Sequence, residues 1–404
     1  MNARKLAPRL ALAVGSFAIA AGAAWWWFGD RLTGGGTTRI TDNSAAARAL
    51  LLERARGGTP LDPARGVMPE PIPEAAARTI FGSFAGAEVV YDAHSIYRYR
   101  SGLDLRIGVP DLPGNGYRMV TNGWGMRELD DPSAGAGRPC LLASGDSHTD
   151  GVCDAPQSWP NLLEAALRER APSAEARVWN HGFGGYSFYE YLGTLRRCAE
   201  LAPRLYVVCS YAGNDYLELI KPWSYFERRE APEVPAESMK HVLRESLRSP
   251  QAISQCLQQA YYFRELPHMV EIAPRVAARV SKELAAEAAR IGCVALFVNL
   301  PCAADVQRER YAAKLAPAAE RLGLSSEQLD ISQHLADAWI AQVRAADLPV
   351  LDLRAAFRAE PEDLYWHSDH HINLRGQQLV AAAVLQWLDE QPPGSVLGAD
   401  PVPR

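Results

Sequence analysis

Apolar runs alternate with amphipathic stretches along the middle of the chain. Five short runs are dominated by Val, Leu and aromatic side chains, the composition of buried strands. The stretches between them carry apolar residues at helical spacing, as Leu163 and Leu167 do on one face of a predicted helix. Strands that alternate with helices form a parallel sheet with helices on both faces, so the pattern predicts an α/β fold. The predicted strands are residues 140–144, 176–180, 204–210, 293–300 and 349–353.

A different pattern marks the N-terminus. A basic segment at residues 1–9 precedes an uncharged run over residues 10–29, which ends in consecutive aromatic side chains. About 20 apolar residues cross a bilayer as a helix, and aromatic residues are typical of its interface. We therefore expect one membrane-spanning anchor in the cell membrane, with residues 1–9 in the cytoplasm and the chain after Asp30 in the periplasm or outside. The small residues at 21–23 also fit a signal peptide, whose cleavage would leave a secreted protein.

The rest of the chain divides by composition. With 404 residues, 48% of them hydrophobic and 22% charged, it is long enough and apolar enough for a globular core. Residues 30–85 mix Gly, Pro and Ala around one short helical run near 45–56 and are predicted to be a linker or prologue. The globular domain is expected over residues 86–392, followed by a flexible tail at 393–404.

Residues 221–278 interrupt the alternation of strands and helices with several helical runs. One interpretation is a helical cap that fills space against the core. The other is a lid over a substrate, for which aromatic side chains would provide contact surfaces. These aromatic residues are Trp223, Tyr225, Phe226, Tyr261, Tyr262 and Phe263.

Charge and cysteine content argue against several classes of protein. The net charge is -5 and the basic residues are scattered, so the chain lacks the basic patch with which proteins bind nucleic acid. Seven cysteines are too few for a disulfide scaffold, and the chain has no CxxC pair of the kind that binds zinc. His367, Asp369, His370 and His371 are acceptable metal ligands, but no second cluster would complete a coordination sphere. We expect no nucleic-acid partner, no metal and no cofactor.

Polar residues suited to catalysis follow the predicted strands. The first strand leads into Gly-Asp-Ser, where Ser147 precedes a helix, and the second into a glycine-rich loop that ends at Gly185. The third leads into Gly-Asn-Asp with Asn214, and the fifth precedes a segment that contains Asp369 and His371. Because ligands bind beyond the carboxyl ends of parallel strands, we expect these side chains to form one site.

A serine that attacks an acyl group needs a base, a carboxylate that orients the base, and donors for the oxyanion. His371 is the predicted base for Ser147, and Asp369 is the predicted carboxylate. The backbone N–H groups of Ser147 and Gly185 and the side-chain amide of Asn214 are predicted to form the oxyanion hole. The Gly-x-Ser-x-Gly elbow of α/β-hydrolases is absent, because its second glycine is missing.

In these four motifs the chain resembles the SGNH (GDSL) hydrolase family, which carries Ser, Gly, Asn and an Asp/His pair in this order. The resemblance spans about residues 90–390, and a prologue at 117–130 is similar to that of an exported or membrane-anchored bacterial subset. It implies a three-layer α/β/α flavodoxin-like fold and hydrolysis of acyl esters, often acetyl esters of glycans or lipids. The chain departs from the family pattern in the Asp-x-His spacing of Asp369 and His371, and in Ala212 of the third motif.

We therefore expect a serine esterase that removes an acyl group, most simply acetyl, from an extracytoplasmic glycan or lipid through an acyl-enzyme. An O-acyltransferase for a cell-envelope polysaccharide would use the same site, with a glycan hydroxyl in place of water. A glycan-binding protein that keeps the fold without the activity is the non-enzymatic alternative.

Overall fold

The computed structural model describes residues 45–57, 66–132, 139–170, 176–230, 232 and 234–392. The predicted anchor at residues 10–29 and the predicted tail at 393–404 lie outside this part of the chain. Within the described ranges, no helix is both long enough and apolar enough to cross a membrane.

Two helices and two β-hairpins precede the central sheet. In chain order these elements are α1 (Ala45–Arg56), α2 (Glu74–Ile80), β1 (Val89–Asp92), β2 (Ile96–Tyr99), β3 (Asp104–Gly108) and β4 (Gly116–Val120). Strands β1 and β2 pair antiparallel, as do β3 and β4. Gly116 is needed in the second hairpin, because a Cβ there would overlap the carbonyl oxygen of Ile107. Val67, Ile72 and Ile80 are buried in the main hydrophobic core, so the segment before the hairpins packs against the rest of the molecule.

The central sheet contains the five predicted strands, and the prediction of an α/β fold is confirmed. The strands are β5 (Cys140–Gly145), β6 (Arg177–Asn180), β7 (Leu205–Tyr211), β8 (Val294–Leu300) and β9 (Val350–Asp352). Their order in the sheet is β6-β5-β7-β8-β9, and all four neighbouring pairs are parallel. This order is the one found in flavodoxin-like sheets, where the first strand lies beside both the second and the third.

Helices connect the strands and cover the sheet. They are α3 (Ser147–Asp150), α4 (Trp159–Arg170), α5 (Phe188–Cys198), α6 (Asp215–Glu218), α7 (Ile220–Phe226), α8 (Ala236–Leu247), α9 (Ser254–Glu265), α10 (Met269–Arg290), α11 (Ala303–Val306), α12 (Arg308–Leu322), α13 (Ser326–Leu329), α14 (Ile331–Arg344), α15 (Arg354–Ala359) and α16 (Leu374–Glu390). From β5 the chain steps across the sheet to β6 in one direction, and from β6 to β7, β8 and β9 it steps in the opposite direction. Right-handed crossovers therefore place α4 on one face and α5, α10 and α14 on the other. The contacts agree, since α16 packs on α4, whereas α10 packs on α5 and α14.

The helical insertion is part of the core. Its six aromatic side chains, considered above as a substrate surface, are each less than a tenth exposed and belong to the main hydrophobic cluster. Their burial fits the interpretation of a cap that fills space against the sheet. All seven cysteines are buried and unpaired as well, as expected of small core residues.

Candidate active site

Ser147 is the first residue of α3 and comes directly after Asp146 at the carboxyl end of β5. Asp146 caps the helix, because its carboxylate accepts a 2.9 Å hydrogen bond from the backbone N–H of His148. Gly145 permits this turn, since a Cβ there would lie 2.6 Å from the carbonyl oxygen of Cys209 in the neighbouring strand β7. Ser147 is partly exposed, whereas the residues on either side of it are buried. The turn therefore presents the serine at the carboxyl end of the sheet's strands.

Asp369 and His371 lie on the loop between α15 and α16. An isolated antiparallel bridge between Tyr365 and Ile372 closes this loop. Asn373 then caps α16 with its side chain, which accepts a 3.0 Å hydrogen bond from a backbone N–H of the first helical turn. The bridge and the cap fix the short segment that carries the predicted base and its carboxylate.

Asp369 holds the imidazole of His371 in one orientation. Its carboxylate accepts a 3.0 Å hydrogen bond from the backbone N–H of His371 and also hydrogen-bonds ring nitrogen Nδ1. Burial opposes the ionised carboxyl, yet His371 and His370 hold the pKa of Asp369 well below its ordinary value. Burial also opposes the charged form of His371, but the Asp369 carboxylate outweighs it and raises the pKa of His371. Nitrogen Nε2 of His371 is buried and has no hydrogen-bond partner among the described residues, so it is the nitrogen available to a hydroxyl group.

The loop after β6 lies against the serine. Asn180 anchors it, because its side-chain amide donates a 3.0 Å hydrogen bond to the carbonyl of Thr149 in α3. A Cβ at Gly184 would lie only 3.6 Å from the Cβ of Ser147. Gly185 has a φ of 77°, a left-handed conformation that favours glycine. The structure thus brings the second predicted motif next to the first.

Asn214, from the third motif, lies between β7 and α6 and beside Asp146. Burial raises the pKa of Asp146 to about 7, and the nearby side chain of Asn214 acts in the opposite direction without cancelling this effect. Neither polar atom of the Asn214 side chain makes a hydrogen bond of good geometry within the described chain. The next residue, Asp215, is also buried, which raises its pKa. Its carboxylate accepts hydrogen bonds from the hydroxyl of Tyr191 at 2.7 Å and the backbone N–H of Tyr211 at 3.0 Å.

Arg127, in the segment 117–130, pairs with the last residue of the serine helix α3. Its guanidinium is fully buried and forms a 2.7 Å ion pair with Asp150, the last residue of α3. It also donates to the carbonyl of Cys153 at 3.0 Å, and the hydroxyl of Tyr99 donates to Asp150 at 2.9 Å. Arg127 lies in the segment 117–130 that the sequence singled out, but nothing local in the sequence identified Asp150 as its partner.

Asp369, His370 and His371 form a group of the kind that binds metal ions, with candidate ligand atoms within 4.8 Å of one another. Oxygen Oδ1 of Asp369 already hydrogen-bonds Nδ1 of His371. This arrangement suits an oriented base better than a coordination site, because the nitrogen nearest the carboxylate is occupied. The absence of a metal stays a prediction.

The candidate site lies in a part of the chain that matches a known family. The model of the GDSL-like Lipase/Acylhydrolase family matches residues 143–379, a span that runs from the end of β5 into α16. The chain belongs to this family. The family's members are ester hydrolases, and the matched span includes Ser147, Gly185, Asn214, Asp369 and His371. No curated protein matches the chain.

Several solved structures are similar to this GDSL-like hydrolase at low sequence identity. TesA is 16% identical over 62% of this chain and 97% of its own, with a TM-score of 0.37. LAE5, an alpha/beta hydrolase enzyme from the metagenome of Lake Arreo, is 17% identical over 61% of this chain and 94% of its own, with a TM-score of 0.37. A variant of Axe2, an acetylxylan esterase from Geobacillus stearothermophilus, is 14% identical over 64% of this chain and 96% of its own, with a TM-score of 0.36.

Proposed function

We propose that this GDSL-like hydrolase is a serine esterase in which Ser147 is the nucleophile, His371 the base and Asp369 the carboxylate that orients it. The observation that carries the proposal is the hydrogen bond that Nδ1 of His371 donates to the Asp369 carboxylate, which leaves Nε2 to take the serine proton. The raised pKa of His371 supports the assignment, because a more basic imidazole is a better proton acceptor. Ser147 lies in a turn that the Asp146 cap and a hydrogen bond from Asn180 hold in place.

In the proposed reaction, Nε2 of His371 takes the hydroxyl proton as Oγ of Ser147 attacks the ester carbonyl carbon. The oxyanion that forms is stabilised by the backbone N–H groups of Ser147 and Gly185 and by the amide of Asn214. The ester C–O bond then breaks, and His371 returns the proton to the leaving alcohol. Water, activated by the same imidazole, hydrolyses the acyl-serine and releases the carboxylic acid.

We propose an acylated glycan or lipid as the substrate, with a short acyl group such as acetyl. The two neighbours of the serine in the sequence, Asp146 and His148, are polar, and the polar side chain of Asn214 lies beside Asp146. A long acyl chain would gain little from such surroundings, because apolar surface is stabilised against apolar and not polar groups.

The test is turnover of chromogenic esters by the folded soluble protein, with Ser147→Ala as the control. The proposal predicts hydrolysis of an acetyl ester, a much lower rate with an ester of a long fatty acid, and loss of at least about 10³-fold in the Ser147→Ala variant. Equal activity of the variant and the parent protein would refute the role of Ser147. A parent protein that neither hydrolyses the esters nor reacts with a serine-directed phosphonate would favour the glycan-binding alternative.

The burial of Nε2 in His371 supports a second candidate, an O-acyltransferase that acts on a cell-envelope polysaccharide. A base shielded from bulk water would allow a glycan hydroxyl to compete for the acyl-serine. Product analysis with an acetyl donor and a polysaccharide acceptor distinguishes the two. Acetylated glycan supports the transferase, and free acetate alone excludes it for that acceptor.

We also propose that the hydrolase domain faces the periplasm or the cell exterior, either anchored by residues 10–29 or secreted after cleavage of that segment. The charge and apolar pattern of the N-terminus supports this location. Carbonate extraction of membranes, together with the mass of the mature N-terminus, separates the two forms. Recovery of the full-length chain in the cytosolic fraction would contradict both.

A further inference from the structure

His148 joins the serine loop to the loop of the predicted base. It follows Ser147 directly in the sequence and is fully buried. Its backbone N–H is held by Asp146 at 2.9 Å, and its carbonyl accepts a 3.0 Å hydrogen bond from the side-chain amide of Gln377 in α16. The backbone of this residue is therefore tied both to the serine turn and to the helix that follows the base.

The imidazole of His148 makes a second and more direct connection. Its Nδ1 accepts a 3.2 Å hydrogen bond from the backbone N–H of Ile372, the residue after His371. Its ring lies 3.8 Å from the ring of Tyr211, at the end of β7, and 4.9 Å from the ring of His371, measured between centroids. One side chain thus spans from the residue after the nucleophile to the residue after the base.

The direction of this hydrogen bond fixes the state of the ring. Because a backbone N–H is always a donor, Nδ1 of His148 carries no proton, and the proton of the neutral ring is on Nε2. A doubly protonated ring could not accept from Ile372 and would place a second positive charge beside His371. Burial, reinforced by His371 and His370, holds the pKa of His148 well below its ordinary value, so the neutral form persists when His371 becomes charged.

We propose that His148 is a positioning residue that sets the spacing between the Ser147 hydroxyl and Nε2 of His371 through its hydrogen bond to the backbone of Ile372. This inference rests on the proposed esterase function of the same site. Proton transfer needs the two reacting groups within hydrogen-bond distance, and a displacement of about 1 Å can cost about 10²-fold in rate. The bridge acts on the geometry of the two groups and makes no contact with the ester.

The test compares His148→Leu with His148→Asn. Leucine and asparagine have the same shape, but only the Oδ1 of asparagine can replace Nδ1 as the acceptor for Ile372. We expect His148→Leu to lower kcat at least about tenfold with little change in KM, and His148→Asn to return kcat to within about threefold of the parent protein. Ser281→Ala is the matched control, because Ser281 is the buried acceptor for the indole N–H of Trp339, at 3.1 Å, and serves no catalytic role in this mechanism.

A second pair of variants keeps the test valid if His148→Leu fails to fold. Glutamine extends further and presents its oxygen near the position of Nε2, so His148→Gln should remain slow where His148→Asn is fast. Equal rates for the leucine and asparagine variants, or for the asparagine and glutamine variants, would overturn the proposal. So would a kcat of His148→Leu within threefold of the parent protein.

Amide exchange measured by NMR tests the bridge without any substrate. Exchange of the Ile372 amide should accelerate in His148→Leu and be restored in His148→Asn. The amide of Asn373, which donates to the carbonyl of Leu364 at 2.8 Å, should remain protected in both and shows that the loop is intact. An unchanged Ile372 amide in His148→Leu refutes the bridge. A parent protein without turnover or labelling refutes the esterase function instead, so the two failures are distinguishable.

Discussion

Loss of the Arg127 guanidinium should destabilise the protein far more than loss of an ordinary surface ion pair. The side chain is fully buried, pairs with Asp150 at 2.7 Å and also donates to the carbonyls of Gly151 and Cys153. Arg127→Met would keep much of the apolar packing but leave a carboxylate in a site with little access to water. Removal of one partner of a buried ion pair costs about 3 to 5 kcal/mol, and we expect a decrease of this size in the free energy of unfolding.

The assay is denaturant unfolding followed by fluorescence, with two matched variants. Arg118→Met removes an ion pair of the same 2.7 Å length, between Arg118 and Asp104, but both of these side chains are more than half exposed, so little change is expected. The double variant Arg127→Met/Asp150→Asn removes the orphaned charge and should recover part of the loss. A decrease of less than about 1 kcal/mol for Arg127→Met would contradict this expectation. So would a double variant that is less stable than Arg127→Met by about 1 kcal/mol or more.

Three further predictions concern the site. Asp369→Asn should lower kcat by about three to four orders of magnitude in the ester assay, because the amide no longer holds Nδ1 of His371 as a donor and Nε2 as an acceptor; a loss below tenfold would contradict this. The base must be neutral, so kcat/KM should fall as the pH drops through the raised pKa of His371, with a midpoint above 6.5; pH profiles should show this limb, and a midpoint below 6.5 in the parent protein would contradict the assignment. Gly185→Ala should cost about 1 to 2 kcal/mol of stability, measured by thermal unfolding, because Gly185 has a φ of 77°; an unchanged midpoint would argue against that conformation.

The strands of the central sheet could be predicted because each contains a short apolar run followed by polar residues. β7 and β8 are buried along nearly their whole length, and such strands carry a strong signal in the sequence. The hairpins β1–β2 and β3–β4 were not predicted. They are only four or five residues long and do not alternate regularly between buried and exposed positions, so no period separates them from loops.

The site residues could be proposed because the topology of a parallel sheet brings strand ends together. The motifs around Ser147, Gly185 and Asn214 were therefore expected to meet, and the structure places their loops side by side. The supporting contacts could not be predicted. His148 and Ile372 are 224 positions apart, and a side chain next to the nucleophile gives no indication in the sequence of a partner at that separation.

The sequence alone does not show whether the aromatic side chains of the helical insertion are buried or exposed. Aromatic residues are equally suited to a sugar-binding surface and to a core, since both use their large apolar area. Trp223 and Tyr261 could therefore not be assigned from composition. Their packing in the core is decided by the helices around them, which the sequence showed only as periodic runs.

The central claim is that Ser147 forms the acyl-enzyme, and the mass of a trapped intermediate tests it most directly. The protein is mixed with an activated acetyl ester, quenched in acid within the first turnover, digested and analysed by peptide mass spectrometry, with Ser147→Ala treated in parallel. We expect one added acetyl group on the peptide that contains Ser147 and none in the variant. Turnover without any acylated peptide, or an acetyl group that persists in Ser147→Ala, would contradict it.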